Sequence, residues 1–286
     1  MKYFKAIVKL IRPKHYLKNV LIFLPVIFSG NLFKSNNLLE AVIAFIAFSL
    51  AASAVYVIND LKDRKLDALH PKKKFRPIAA GLISPILAIN IILALLVLSV
   101  LIQLAAGFSL ASIGLLAGYV GINLLYSLGL KNIPVVDVAI LSLGFVLRVY
   151  YGGVALNIGV SKWLYLAILA FSFYMSLGKR RNELRNIGSS TRTVNEVYTK
   201  DFLDKNMYVF FALTIVYYSM WAVDSSQPHR RLIWTVPLLI VIAMTYSMAV
   251  ESDESDGDPV NVLFSNLPLL LLTVVTVVLM FGLVYV

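Results

Sequence analysis

The stretch YVINDLKDRKLDALHPKKKFRPIAAG, from Tyr56 to Gly81, is a polar segment that stands between two long apolar runs. Within it Asn59, Asp63 and Asp67 follow one another at intervals of four residues. If the helix of the preceding apolar run continues past the membrane edge, these three side chains project from one face. Like charges at this spacing repel each other, so the pattern predicts a bound cation.

Oxygen ligands of this kind suit Mg²⁺, which commonly bridges one or two carboxylates to substrate phosphates. Mn²⁺ remains possible, because oxygen ligands alone do not separate the two metals. Bases that can meet phosphate charge follow directly: Lys72, Lys73, Lys74 and Arg76. Acids for a metal beside bases for phosphate predict a metal-diphosphate site. The alternative is a solvated loop of mixed charge.

The rest of the 286-residue chain is strongly apolar, with 59% hydrophobic and 14% charged residues. Runs that reach or approach the ~20 residues needed to cross a ~30 Å hydrocarbon core predict an all-α, polytopic membrane protein. We expect one integral-membrane domain, 1–286, in which the basic, amphipathic segment 1–16 is an interfacial helix and not a cleavable signal. About nine spans are predicted, at 17–33, 38–58, 84–106, 108–127, 135–156, 160–178, 207–223, 232–250 and 262–285.

The distribution of positive charge predicts the orientation of these spans. With a cytoplasmic N-terminus, 21 of the 26 Lys and Arg residues fall on the cytoplasmic side and four on the outside. This bias follows the positive-inside rule. Both long polar loops, 59–83 and 179–206, are then cytoplasmic, so a soluble substrate is expected to enter from that side. The net charge of +11 favours anionic headgroups and an anionic substrate over nucleic acid.

The residue types that are rare in this chain exclude several kinds of site. The absence of cysteine excludes disulfides, thiolate catalysis and cysteine-based metal sites. The three histidines, His15, His70 and His229, lie far apart in the sequence. We expect them at the membrane interface and not as metal ligands.

Ionisable residues also occur inside or beside the fifth span. Asp137 and Arg148 are expected to face a polar cavity, because charge within an apolar span is expensive. They are 11 residues apart, which is about 16 Å along a helix, too far for direct pairing. Each therefore needs another partner. Lys131, at the cytoplasmic rim, can meet a lipid phosphate or simply extend to the interface.

Three further polar motifs flank other spans. GKRRNEL, residues 178–184, ends the sixth span with three bases that could clamp phosphate and with Glu183, which could orient a base or a hydroxyl. The alternative is a cluster of cytoplasmic positive charge. RPKHYLKN, residues 12–19, is either a membrane-surface segment or the source of site cations, of which Lys18 is the one we assign to the site. ESDESDGDP, residues 251–259, is either a second metal site or a solvated acidic loop.

The pattern N-D-x-x-D-x-x-x-D after the second span, from Asn59 to Asp67, resembles the hallmark motif of the UbiA superfamily of membrane prenyltransferases. The resemblance implies an all-helical fold around a central cavity that opens to the cytoplasmic side and to lipid. Ordinary members carry a second D-x-x-x-D motif after the sixth span. This chain has GKRRNEL there, with bases in place of the acid pair.

One branch of the superfamily, the decaprenyl-phosphate phosphoribosyltransferases, shows the closer resemblance. The implied reaction joins phosphoribosyl pyrophosphate to a polyprenyl phosphate, releases pyrophosphate and supplies arabinose donors for cell-envelope glycans. The motifs that carry this resemblance are RPKHYLKNVLIFLPVIFSG, NDLKDRKLDALHPKKKFRPIAAG, YSLGLKNIPVVDVAILSLGFVLR, GKRRNEL and ESDESDGDPV.

The implied chemistry assigns a role to each candidate residue. The metal ligands are Asn59, Asp63 and Asp67. The donor-binding residues are Lys14, Lys18, Tyr56, Lys73, Arg76, Lys179 and Glu183. The lipid phosphate is assigned to Lys131, Arg148 and Arg180. The catalytic carboxylates are Asp60, Asp63, Asp67 and Asp137, with Asp60 or Asp137 stabilising positive charge at C1 of the ribose.

Three other functions compete with this interpretation. A conventional prenyltransferase would move a prenyl group from its diphosphate to an aromatic or lipid acceptor. A transporter for lipid-linked anions would need charge that continues to the outer face, whereas this charge lies on one side. A structural scaffold leaves Asn59, Asp63 and Asp67 unexplained.

The large apolar surface permits a homo-oligomer in the inner (plasma) membrane.

Overall fold

A computed structural model of the chain describes residues 2–71, 73–187, 193–224, 230–252 and 257–286. All regular secondary structure in these ranges is helical, which confirms the all-α prediction. Four short 3₁₀ segments lie at Lys73–Phe75, Leu130–Asn132, Thr193–Glu196 and Arg230–Thr235. The α-helices are α1 (Lys2–Ile11), α2 (Leu24–Phe28), α3 (Asn37–Leu69), α4 (Pro85–Ala105), α5 (Leu110–Leu128), α6 (Val136–Ala155), α7 (Lys162–Ile187), α8 (Lys200–Val223), α9 (Val236–Glu251), α10 (Pro259–Ser265) and α11 (Leu267–Tyr285).

Seven helical segments within the described ranges are long and apolar enough to cross a membrane. Each of them overlaps one of the predicted spans, so the chain is a multi-pass membrane protein. The span predicted at 160–178 lies in α7, which is 26 residues long and ends in the charged GKRRNEL motif. The total of nine spans stays a prediction.

The first predicted span, 17–33, is not one regular helix. The chain forms a 3₁₀ helix over Pro13–Phe23, which we call the 3₁₀ segment, and then the short helix α2. Pro25 lies in the first turn of α2, where its missing N–H needs no partner, but it cannot continue a preceding helix. Because 3₁₀ runs of this length are uncommon, the segment depends on its neighbours for stability.

The 3₁₀ segment packs against α6 at a glycine. A β-carbon at Gly152 would lie 2.1 Å from the carbonyl oxygen of Ile22 and 2.9 Å from its carbonyl carbon. Only a residue without a side chain allows the two backbones to come this close. The contact fixes the 3₁₀ segment, and with it Lys18, beside α6.

We expect Gly152→Ala to destabilise the protein by about 3 kcal/mol or more, because backbone atoms must move to admit the new carbon. Thermal unfolding in detergent would measure the effect. Gly118→Ala on α5 is the matched control, since a β-carbon there meets nothing within 4 Å. If both variants unfolded at the wild-type temperature, the close approach at Ile22 would be wrong.

Helix α3 lies at the centre of the fold and positions the motif. It runs for 33 residues and continues beyond its apolar part, as the sequence predicted. Fully buried alanines let neighbouring helices approach its apolar half closely; they are Ala41, Ala44, Ala47, Ala51 and Ala54. Its polar half carries Asn59, Asp60, Asp63 and Asp67 on one continuous helix.

Candidate active site

A cavity of about 240 Å³ lies beside the polar half of α3. Among the described residues, its wall carries eight basic side chains and three carboxylates. This imbalance favours a multiply charged anion. The basic residues are Arg12, Lys18, Lys73, Arg76, Lys131, Arg148, Lys179 and Arg180, and the acids are Asp60, Asp63 and Asp258.

Asn59 and Asp63 lie on this wall, one helical turn apart on α3. The Asp63 carboxylate accepts two hydrogen bonds from Lys131 Nζ, at 2.8 and 3.1 Å. The amide oxygen of Asn59 accepts one from the Ser127 hydroxyl. Within the described ranges no group of three or more His, Cys, Asp or Glu side chains could hold a metal by itself. The site fits a cation such as Mg²⁺, which takes one or two protein oxygens and fills its other positions with water and substrate phosphates.

Asp60 and Asp67 are both paired with arginines. Asp60 Oδ1 lies 2.5 Å from Arg12 Nη2 and 3.1 Å from Arg76 Nη1. Arg76 Nη1 also donates to Asp67 Oδ2 at 2.7 Å. Asp67 is buried and is not among the residues that line the cavity, so its role as a metal ligand stays a prediction. A buried carboxylate needs a cation, and Arg76 supplies it.

Arg148 is a buried cation with neutral partners. It lies on α6 and is 5% exposed. Its Nε donates to Asn19 Oδ1 at 2.8 Å, its Nη1 to the Gly144 carbonyl at 2.6 Å and its Nη2 to the Tyr119 hydroxyl at 3.2 Å. The guanidinium carbon lies within 5.6 Å of the ring centroids of Phe48, Tyr119 and Phe145. Because none of these groups is negative, its charge is available to an anion in the cavity.

Lys18, Lys179 and Asp258 form a third charged group. Lys18 Nζ donates to Asp258 Oδ2 at 2.9 Å. Burial raises the pKa of the Asp258 carboxyl, but Lys18 and Lys179 outweigh it and lower that pKa to about 2. Lys179 makes no ion pair within 4 Å with a described residue. Among the described residues, Arg148 and Lys179 are thus two wall cations without a carboxylate within 4 Å.

Asp258, near the end of the acidic motif ESDESDGDP, lies on the cavity wall. Gly257, with φ at 71°, would place a β-carbon 2.9 Å from the Cα of Lys179. This close approach brings Asp258 to the cavity wall, where it is an ion-pair partner and not solvated. Residues 253–256 of the motif lie outside the described residues.

His15 also lines the cavity, although the sequence placed it at the membrane interface. Its ring centroid lies 5.4 Å from that of Tyr56. Burial and the positive charge of Lys18 lower the pKa of His15 to about 4, so its imidazole is neutral at pH 7. His70 accepts a hydrogen bond from the backbone N–H of Lys73 at 3.3 Å, and His229 lies outside the described residues.

The lowered pKa of His15 predicts that stability decreases as the pH is lowered through a defined window. Between pH 6.5, the ordinary pKa, and about 4 the unfolded chain binds a proton at His15 and the folded chain does not. Stability therefore rises with pH in this window and is lost as pH falls. We expect His15→Gln to flatten the plot of unfolding temperature against pH over this range. An unchanged slope in His15→Gln would contradict the buried, neutral imidazole.

Most of the residues that the sequence selected meet at this cavity. Those on its wall are Lys18, Tyr56, Asn59, Asp60, Asp63, Lys73, Arg76, Lys131, Arg148, Lys179 and Arg180. Six selected residues with described side chains do not line it: Lys14, Asp67, Lys74, Asp137, Arg181 and Glu183. Lys14 is exposed, and Glu183 pairs with Arg180. Lys72 lies outside the described residues.

Asp137 differs most from its expected role at the ribose. Its side chain is fully buried, and its Oδ2 lies 2.7 Å from Arg180 Nε. Arg180 lines the cavity and Asp137 does not. The carboxylate lies behind the wall because pairing with a cation is what makes a buried charge tolerable.

Sequence reasoning missed several residues of the wall. Arg12 and His15 stand in the same RPKHYLKN motif that supplied Lys18, so the motif was the available signal. Tyr119, Asn123 and Tyr126 lie on one face of α5 at helical spacing. They are uncharged and sit in an apolar span, so nothing marked them beforehand.

The chain is similar to several known proteins. Residues 22–267 match the family described as the UbiA prenyltransferase family. A decaprenyl-phosphate phosphoribosyltransferase from Corynebacterium glutamicum is 33% identical over 271 residues, covering 91% of this chain and 81% of that protein. Proteins of the same name from Mycolicibacterium smegmatis and Mycobacterium tuberculosis are 35% and 37% identical, covering 76% and 77% of this chain and 70% and 74% of those proteins.

Two solved structures show the same fold at low sequence identity. A UbiA homologue from Archaeoglobus fulgidus, bound to GPP and Mg²⁺, has a TM-score of 0.75 at 21% identity and covers 100% of both chains. A UbiA homologue from Aeropyrum pernix K1 has a TM-score of 0.65 at 14% identity and covers 98% of both chains. These likenesses support the helical architecture described above.

Proposed function

The chain belongs to the UbiA prenyltransferase family, and within that family we propose that it transfers 5-phosphoribose from phosphoribosyl pyrophosphate to a polyprenyl phosphate of the decaprenyl type. Pyrophosphate is the second product. Three relatives at 33–37% identity are decaprenyl-phosphate phosphoribosyltransferases. The phosphoribosylated lipid would supply arabinose donors for cell-envelope glycans.

The observation that carries this proposal is the charge of the cavity wall, with eight basic side chains against three carboxylates. The donor brings a diphosphate and a 5-phosphate, and the acceptor brings a further phosphate. The alternative, transfer of a prenyl group to an aromatic or lipid acceptor, brings one diphosphate and an apolar chain. It leaves Arg148 and Lys179, which pair with no carboxylate among the described residues, without an anion.

Asn59 and Asp63 would hold Mg²⁺, or Mn²⁺ in its place. When bound, the metal would neutralise charge on the leaving diphosphate. The chain supplies one amide and one carboxylate oxygen, and that carboxylate pairs with Lys131. Lys131 also lies close enough to share in binding the phosphates that meet there.

The remaining bases divide between donor and acceptor. Lys18 and Lys179, near Tyr56, would bind donor phosphate, with Lys73 and Arg76 as further cations at the polar end of α3. Arg148 would bind the lipid phosphate, because it stands beside the apolar part of the wall. That part consists of Ile140, Leu141 and Phe145, which can accept the first carbons of the polyprenyl chain.

The reaction needs little covalent help from the protein. A lipid-phosphate oxygen forms a bond to C1 of the ribose, and the C1–O bond to diphosphate breaks with its electron pair. The attacking oxygen is already anionic, so no strong base is required. Asp60 on the wall would stabilise positive charge at C1. Attack opposite the leaving group would convert the α donor into a β product, and most of the catalysis would be orientation.

The membrane side follows from the same charges. Apart from Arg148, which lies within a span, the bases of the cavity belong to segments that the positive-inside rule places in the cytoplasm. We therefore propose an inner-membrane enzyme with a cytoplasmic active site, where a soluble phosphoribosyl donor can enter.

The test is transfer of label from radiolabelled phosphoribosyl pyrophosphate to decaprenyl phosphate by purified protein with Mg²⁺. Label should appear in the organic phase and should stay in water when EDTA is added. A parallel reaction offers geranyl diphosphate and an aromatic acceptor. Prenyl transfer without phosphoribosyl transfer would replace our proposal with the ordinary family activity.

A further inference from the structure

Tyr198 lies just before α8, and the sequence analysis did not select it. It is 7% exposed, and its ring stacks on Phe202 at an interplanar angle of 17°. Its hydroxyl donates to Asp137 Oδ1 at 2.6 Å and accepts the backbone N–H of Val135 at 2.7 Å. The hydroxyl thus joins the connection between α7 and α8 to the start of α6.

The backbone at Val135 shows that this junction is held under constraint. Val135 has φ at 67° and ψ at −43°, a conformation that β-branched residues rarely adopt. Such a conformation persists where the surrounding structure imposes it. Helix α6 begins at the next residue, and Asp137 stands in its first turn. The hydroxyl of Tyr198 therefore holds both the strained N–H and the carboxylate that follows it.

Asp137 connects this junction to the cavity wall through its ion pair with Arg180. Its Oδ2 lies 2.7 Å from Arg180 Nε, and the two side chains are 0% and 1% exposed. The other nitrogens of Arg180 contact the Glu183 carboxylate and, at 3.3 Å, the Tyr126 hydroxyl. The guanidinium is buried and its contacts are with protein groups, so its direction is set by its neighbours and not by solvent.

We propose that Tyr198 is a positioning residue for anion binding, which acts through Asp137 to hold the Arg180 guanidinium on the cavity wall. Loss of the hydroxyl leaves a buried carboxylate oxygen and a strained N–H without their partner, so Asp137 and Arg180 settle in another arrangement. In the proposed function the bound anion is a substrate phosphate, and the inference rests on that function for this identification alone.

A double-mutant cycle on binding of inorganic pyrophosphate tests the inference without any turnover. The proteins are wild type, Tyr198→Phe, Arg180→Gln and the double variant, each titrated in detergent by calorimetry. We expect the affinity to fall about tenfold in Arg180→Gln, as for a lost hydrogen-bonded charge, and several-fold in Tyr198→Phe. The double variant should match Arg180→Gln within about twofold, because coupled residues are not additive.

Tyr218→Phe is the matched control. Its hydroxyl is also buried and bonds Thr235, but it does not line the cavity. It should bind pyrophosphate as wild type does, even if its unfolding temperature falls by as much as that of Tyr198→Phe. Effects that multiply in the double variant, an unchanged affinity in either single variant, or a wild type that does not bind pyrophosphate would each overturn the inference. The transfer assay reports separately on the proposed function.

Discussion

Asp63→Asn should lower phosphoribosyl transfer roughly 100- to 1,000-fold, the range seen when one group that stabilises transition-state charge is removed. The substitution keeps the shape of the side chain and removes its charge. Asp63 is the carboxylate of the motif that faces the cavity with a lysine as its partner, whereas Asp60 and Asp67 pair with arginines. The other two carboxylates of the motif could meet a metal and a diphosphate only by breaking an arginine pair.

Initial rates measured against Mg²⁺ concentration would check this result. The Asp63–Lys131 pair is partly exposed, so the unfolding temperature should change little. Asp201→Asn, an exposed carboxylate in the first turn of α8, is the matched control and should keep full activity. Turnover of Asp63→Asn with an ordinary dependence on Mg²⁺ would show that the metal is held elsewhere.

Arg148→Lys should reduce kcat/KM for the polyprenyl phosphate about 100-fold, since a lysine at a forked, stacked arginine site is not a conservative change. The substitution keeps the positive charge. It loses the three-way hydrogen bonding to Asn19, Gly144 and Tyr119 and the contact with the aromatic rings. A buried charge whose partners are all neutral can contribute fully to binding an anion, because no carboxylate competes for it.

Steady-state kinetics with each substrate varied in turn would separate the two roles of Arg148. The KM for phosphoribosyl pyrophosphate should stay within about threefold of the wild-type value, because the donor is assigned to other cations. A change of this size corresponds to less than the ~1.4 kcal/mol of a tenfold step in affinity. Arg231→Lys, at an exposed position, is the control for replacing an arginine with a lysine. A defect confined to the donor would move Arg148 to the donor side and return the lipid phosphate to Lys131.

The architecture and the centre of the site could be read from local patterns. Hydropathy over about 20 residues identified the membrane helices, and an interval of four residues placed Asn59 and Asp63 on one helix face. The regular helix expected at 17–33 was wrong, because its apolar composition does not record the break at Pro25 or the fit against Gly152. Tyr119 and Tyr126 gave no signal, because a tyrosine in an apolar span is ordinary until its neighbours are known.

By itself the sequence determined that this protein is an all-helical membrane protein with a polar, base-rich site at one end of α3. Those properties depend on composition and on spacing within a single helix. Only the tertiary structure decided how the charges are shared. Arg76 pairs with Asp67, Arg180 with Asp137, and Lys18 with Asp258, which is 240 residues away in the chain. The energy of a charge pair depends on distance through space and on burial, and neither is recorded in the spacing of residues along the chain. Among the described residues, folding leaves Arg148 and Lys179 without a carboxylate within 4 Å, so their charge is available to a bound anion.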